Sequence, residues 1–215
     1  MGTNDNSIVT VTVDDVELEG ELIVPEGALG IVVFAHGSGS SRHSPRNNFV
    51  AEQVRARGVG TLLFDLLTEA EDRPYETRFD IDLLTDRLVG ATRWLRNRDD
   101  VGDLPVGYFG SSTGSAAALR AAAQSDLADD IAAVVSRGGR VDLAADSLES
   151  VSAATLFLVG GNDHPVLEWN REAYDRLSGT KSLKVIDGAA HLFEEPGALE
   201  AVADAASDWF AEQLG

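Results

Sequence analysis

A serine hydroxyl becomes a working nucleophile when a base takes its proton and an acid orients that base. Ser112 is the candidate. It sits in the window Gly110–Ser111–Ser112–Thr113–Gly114, inside VGYFGSSTGSAAALRAAA. An apolar run, GYF, leads straight into an alanine-rich helical pattern, so a strand-to-helix turn falls at Ser112. A sharp turn there crowds the residues two before and two after, and Gly110 and Gly114 are the small flanks it needs. Neither neighbouring serine fits this register, because Ser111 follows Phe109 by two and Ser115 follows Thr113 by two. The start of a helix also offers unpaired amides and a positive dipole end to developing negative charge. A serine in this place could equally serve as an ordinary helix cap, and the short pattern alone leaves both uses open.

Four histidines compete for the role of base. His36 follows the buried run IVVFA and precedes Gly37, which reads as a packed residue shaping the next loop. His43 lies in the polar stretch SSRHSPRN, and His164 stands between Asp163 and Pro165. His191, in VIDGAAHLF, comes after the last apolar strand and before the final helix. That loop belongs to the sheet edge where open α/β proteins build their sites. Asp163, in FLVGGNDHP, ends the preceding strand and reaches the same edge. Ser112, Asp163 and His191 thus run in the order nucleophile, acid, base.

An oxyanion needs donors aimed where charge develops. The Thr113 amide follows the nucleophile directly. A second donor is expected from the loop HGSGSS, at the amide of Gly37 or Ser38, where glycine permits close approach. This loop is too short for GxxxxGK[ST], and no GxGxxG follows a first strand, so nucleotide binding is excluded. Arg42, Arg46, Arg137 and Arg140 follow strands on the site-bearing side and could pair with a substrate carboxylate or phosphate. Structural pairing with the chain's acids, Asp65 and Glu69 among them, is the competing use. Trp169 and Tyr174, past Asp163, are spaced as well for core packing as for a site. No insertion is long enough for a large lid, so an open, shallow site is expected.

The elements that must position these residues follow from periodicity. SIVTVTVDDVELEGELIVP reads as two strands around an acidic turn. GIVVFA, GVGTLLF, PVGYF, IAAVVS, ATLFLVG and SLKVI read as further strands, several apolar enough to be buried on both faces. Helical patterns cover Asn48 to Arg57, Phe79 to Asn97, Ser112 to Gln124, Val166 to Leu177 and Leu199 to Leu214, with an acidic loop from Thr68 to Arg78. Strands alternating with helices imply a mostly parallel sheet with helices on both faces, preceded by an antiparallel strand pair. No repeat or linker divides the chain, so one domain, residues 1–215, is expected.

Composition narrows the function classes. The 215 residues contain no cysteine, which removes disulfides, thiolate catalysis and cysteine-bound metal; no metal or organic cofactor is implied. Thirty-six Asp and Glu against 17 Lys and Arg give a net charge of −19. Such a surface repels nucleic acid and anionic membrane, both of which need a basic footprint. No 18-residue apolar run could span a bilayer. MGTNDNSI lacks the basic and apolar regions of a signal peptide, so a cytoplasmic location is expected. The acidity matches cytoplasmic proteins of salt-loving archaea and predicts stability that depends on salt. Oligomeric state stays open, since negative charge still permits a salt-screened dimer.

With these residues in hand, the chain resembles the α/β-hydrolase superfamily, and within it the small cap-less dienelactone-hydrolase-like proteins. FAHGSGSS, GYFGSSTG, VGGNDHPV and DGAAHLFEEPGALE carry the resemblance, which covers nearly all 215 residues. It implies the α/β-hydrolase fold, Ser112 as nucleophile, Asp163 as acid and His191 as base, with oxyanion amides at Gly37–Ser38 and Thr113. One departure bears on activity: dienelactone hydrolases are expected to carry cysteine at the elbow, whereas this chain has serine. A serine esterase acting on a small-molecule acyl substrate is therefore the leading expectation. Thioester or small-amide hydrolysis on the same triad, and a non-catalytic ligand-binding protein on this scaffold, are the alternatives. Similar domains also occur fused to phosphoribosyltransferases, an association that identifies no substrate.

Overall fold

The computed structural model describes residues 7–215. The leader reading of MGTNDNSI therefore falls almost wholly outside the described residues. The chain opens with β1 (Ser7–Val13) and β2 (Val16–Ile23), an antiparallel hairpin closed by Asp14 and Asp15. Asp14 takes a positive φ of 51°, as two-residue hairpin turns require at their first position.

Six parallel strands follow: β3 (Ile31–Ala35), β4 (Gly60–Phe64), β5 (Val106–Ser111), β6 (Ile131–Arg137), β7 (Ala154–Gly160) and β8 (Lys181–Ile186). The sheet order is β1-β2-β4-β3-β5-β6-β7-β8, with β2 pairing antiparallel to β4. Every residue of β3, β4, β5 and β7 is buried, which explains their unbroken apolar runs.

The helices are α1 (Pro45–Ala56), α2 (Glu69–Asp72), α3 (Ile81–Arg96), α4 (Thr113–Ala122), α5 (His164–Arg176) and α6 (Ala198–Leu214). Alternate strand residues feed two cores. Val33, Leu62 and Tyr108 face the side of α3 and α4, whereas Val32, Phe109 and Val135 face α1 and α6. On α6, the spacing Val202, Ala206, Phe210 and Leu214 places one apolar stripe against the sheet. The fold is the mostly parallel sheet, covered on both faces, that the sequence implies. No helix among the described residues is long and apolar enough to cross a membrane.

Two segments differ from the sequence reading. The acidic stretch Thr68 to Arg78 is not simply a loop. Thr68 and Glu71 form a reciprocal capping box around α2, and a 3₁₀ turn follows at Glu76–Phe79. Helix α1 begins three residues before Asn48, because the Ser44 side chain accepts the Asn47 amide and Pro45 occupies the first turn. Its cap is polar, so the apolar period starts late and hides the true beginning.

Candidate active site

Ser112 stands where β5 meets α4, with φ 51° and ψ −117°. This is strained backbone for a residue with a side chain, and such strain persists only where the surroundings enforce it. They do so through the flanking glycines. A Cβ on Gly110 would lie 2.5 Å from the Ser115 Cα, and one on Gly114 would lie 2.1 Å from the Ala35 carbonyl oxygen. The Ser112 amide donates to the Arg137 carbonyl at 3.1 Å, and the Arg140 amide donates to the Ser112 carbonyl at 3.0 Å. Its side chain accepts no helix-cap amide, so capping does not account for it.

Asp163 and His191 reach the same edge from β7 and β8. His191 Nδ1 lies 2.6 Å from Asp163 Oδ2, with the carboxylate the more sheltered of the two groups. The two loops are tied together. The Asn162 amide donates to Ala189 O at 2.9 Å, and Asn162 Nδ2 donates to Gly188 O at 2.8 Å. Gly160 permits the approach, since a Cβ there would lie 2.4 Å from Ala189 O. Below His191, the buried Phe193 anchors its loop in the α1–α6 core. Gly138 closes the distance from the serine side: a Cβ on it would stand 3.4 Å from His191 Cε1 and Nδ1.

The other histidines make no hydrogen bond to this pair among the described residues. His43 and His164 are exposed. His36 is buried and shapes its loop, as its sequence setting implied. Its Nε2 accepts the Leu66 amide at 3.0 Å while Nδ1 lies 3.1 Å from Gly37 O, so the neutral ring carries its proton on Nδ1. Burial, outweighing the pull of the Gly37 carbonyl and of Asp65 and Asp72, holds its pKa below 6.5. The stability consequence has a definite sign. The neutral ring's contribution is full above pH 6.5 and is lost as pH falls from there toward the lower folded value, because the unfolded chain takes up the proton first. Melting temperatures of the wild type and His36→Asn, followed from pH 7.5 to 5, should show the steeper fall in the wild type; parallel curves would disprove the assignment.

The oxyanion candidates separate. Thr113 opens α4, and first-turn amides have no intrahelical acceptor. The Ser38 amide donates to Thr113 Oγ1 at 3.0 Å, so that donor is already engaged. Gly37 packs beside Ser112: a Cβ there would stand 3.2 Å from Ser112 Cβ.

Two of the four arginines are held by carboxylates. Arg42 pairs with Asp65 and Glu19, and Arg140 forks onto Asp142 with both bonds at 2.9 Å. Arg140 also lies over the Trp169 ring at 4.8 Å. Asp65 does occupy Arg42, whereas Glu69 instead pairs with Arg73. Arg46 makes only a long, exposed contact to Glu194 at 3.4 Å, and Arg137 makes no ion pair among the described residues. Trp169 and Tyr174 both pack, half-buried, against the larger core. Residues that a motif reading does not reach include Asn162 and Asn170, whose Nδ2 donates to Gly139 O at 2.9 Å and so fixes the loop after β6. The double glycine in SRGGR was the only hint of that close packing. Among the described residues, no three His, Cys, Asp or Glu side chains converge as a metal site.

A mostly parallel sheet, a strained serine between strand and helix, and an Asp–His pair on the same edge define an α/β-hydrolase fold. No family model matches the chain. A crystal structure of dienelactone hydrolase from Anabaena variabilis is 53% identical, with a TM-score of 0.95 over 98% of this chain and 99% of that one. The Pyrococcus furiosus esterase PF2001 shares the fold at a TM-score of 0.80 and 18% identity, over 99% of this chain and 92% of that one. A Mycobacterium tuberculosis protein named provisionally as a phosphoribosyl transferase is 56% identical over 206 residues, 96% of this chain but 46% of its own length. The chain thus spans just under half of the curated relatives it matches. It belongs to the dienelactone-hydrolase-like family of α/β-hydrolases.

Proposed function

We propose that the chain is a serine hydrolase that cleaves small acyl esters through an acyl-enzyme. The observation that carries this reading is the 2.6 Å His191–Asp163 hydrogen bond beside a serine at a strained elbow. His191 Nδ1 is turned to the carboxylate, which leaves Nε2 as the proton acceptor for Ser112. Ser112 Oγ adds to the acyl carbonyl while His191 takes its proton, and Asp163 steadies the imidazolium. The Thr113 and Gly37 amides hold the oxyanion. Collapse expels the alcohol, protonated by His191; water then adds by the same route and frees the acid. The transferase name of the mycobacterial relatives belongs to chains more than twice this length.

The test is turnover of short-chain p-nitrophenyl esters in molar KCl. A burst of nitrophenolate near one per chain, followed by steady release, is expected. Folded protein with no turnover of esters, thioesters or small amides would refute the reading.

Charge enters the same proposal. A net charge of −19 repels itself at low salt. Screening shortens from about 10 Å at 0.1 M to about 3 Å at 1 M salt. A potassium-rich cytoplasm suits such a surface, and neither nucleic acid nor anionic membrane does. Raising KCl from 0.1 to 2 M should lift the melting temperature on the order of 10 °C. A flat or falling curve would remove the halophilic part of the proposal.

A further inference from the structure

The outer N–H and C=O groups of an edge strand are free to pair with another chain unless something blocks them. The two edges of this sheet differ in that respect. β8 carries Lys181 and Lys184, the chain's only lysines, and Lys184 is exposed, which blunts that edge. β1 has no such device. Its seven residues, SIVTVTV, include no charge and no proline, and its register with β2 runs without a bulge. Among the described residues, nothing pairs with its free side.

The neutrality of β1 is not a consequence of burial. Ile8, Thr10 and Thr12 form an exposed face, and Ile8 is 67% exposed. Their cross-strand neighbours on β2 are Glu21, Glu19 and Glu17. One face of the sheet is therefore acidic on the inner strand and neutral on the edge, in a chain with 36 acids. A basic partner would be met by acids on the edge itself. A neutral edge suits another copy of an acidic chain, which any carboxylate there would repel.

The strand also matches itself. The two-residue turn makes Val13 and Val16 a hydrogen-bonded pair. Pairs alternate from there, so Val9 and Val11 turn their backbone groups to β2, whereas Ile8, Thr10 and Thr12 turn theirs outward. A two-fold axis at Thr10 sets two copies of β1 antiparallel, with Thr10 opposite Thr10, Ile8 opposite Thr12 and Val9 opposite Val11. The outward N–H and C=O groups of Ile8, Thr10 and Thr12 then all find partners. Exposed residues meet exposed residues, and the valines continue the side that packs against the larger core. Each of these cross-strand pairs is β-branched, and none opposes like charges.

We propose that β1 is the interface between two copies of this chain, joined antiparallel about Thr10 into one continuous sheet that ends on β8 at both sides. Because the blunted β8 edges cannot extend it, association stops at two. The proposal is independent of what Ser112 does. A strand this short buries less than the roughly 1,200 Å² of a standard interface, so a weak dimer is expected, with Kd on the order of 10 µM. Glu19 and its counterpart in the second copy stand three strand spacings apart, roughly 14 Å. Salt screens that repulsion, and raising KCl should tighten the dimer.

Sedimentation equilibrium in molar KCl, across roughly 1–500 µM chain, should show a monomer–dimer equilibrium. Thr10→Pro should weaken it on the order of 100-fold, because the axis removes a central outward amide from both strands while the β1–β2 ladder loses no bond. Circular dichroism should find this variant folded. If proline disturbs the strand itself, Thr10→Glu decides: it sets like charges together at the axis and should weaken the dimer on the order of 10-fold in 0.1 M KCl, and less in molar KCl. A wild type that is monomeric throughout would overturn the proposal and leave the edge to a strand of another protein. A dimer of wild-type strength in either folded variant would place the interface elsewhere, and an open series of larger assemblies would contradict a closed pair.

Discussion

Replacing Ser112 by alanine should lower ester kcat by about 10⁴-fold or more, the scale on which loss of a triad nucleophile acts in serine hydrolases. The protein should stay folded. Ser112 spends its side chain on no helix-cap bond, and alanine meets the same backbone strain at φ 51° that serine already bears. His191→Ala should cost as much, and Ser112→Ala with His191→Ala together should cost little more, because residues that act as one unit do not add. Circular dichroism with steady-state assays checks all three variants. A folded Ser112→Ala protein with wild-type turnover would place the nucleophile elsewhere, and additive losses in the double variant would separate the two roles.

The second large effect concerns the elbow itself. Gly114→Ala should destabilise the protein by about 3 kcal/mol or more, a fall of roughly 6–12 °C in melting temperature for a chain this long. An alanine Cβ would lie 2.1 Å from the Ala35 carbonyl oxygen and 2.7 Å from that of His36. Both are backbone atoms at the end of β3, so they yield only if the strand and the loop after it move. That motion also displaces Gly37 from Ser112, and activity should fall beyond what the lost stability explains. Gly58→Ala is the control for a glycine change: no atom lies within 4 Å of its Cβ position, although its φ of 80° carries a smaller backbone cost. Thermal melts of both variants decide the matter. Equal losses would mean that contact at the elbow is unimportant.

What the sequence made legible follows from the range of the forces involved. Buried parallel strands announce themselves because both faces must be apolar, and the runs IVVFA, GTLLF and ATLFLVG became β3, β4 and β7. Glycine at 110 and 114 was readable because the backbone forbids a Cβ there. The polar beginnings of elements were harder. Ser44 with Pro45 and Thr68 with Glu71 start helices through local hydrogen bonds that no apolar period marks. Long-range polar pairing was not readable at all. Arg42, Arg46, Arg137 and Arg140 look alike as letters, and only the fold reveals that Arg42 and Arg140 are held closely by acids, Arg46 makes one long contact, and Arg137 is buried with no acid partner among the described residues. The engagement of the Ser38 amide by Thr113 Oγ1 spans 75 positions and is equally invisible in the sequence.

The most direct measurement is the mass of the protein quenched during the burst phase with a p-nitrophenyl ester, followed by peptide mapping. The account predicts one acyl group per chain, carried on Ser112 and absent from Ser112→Ala. An acyl group mapped to another residue, or turnover with no acylated species under quench conditions that preserve esters, would contradict it.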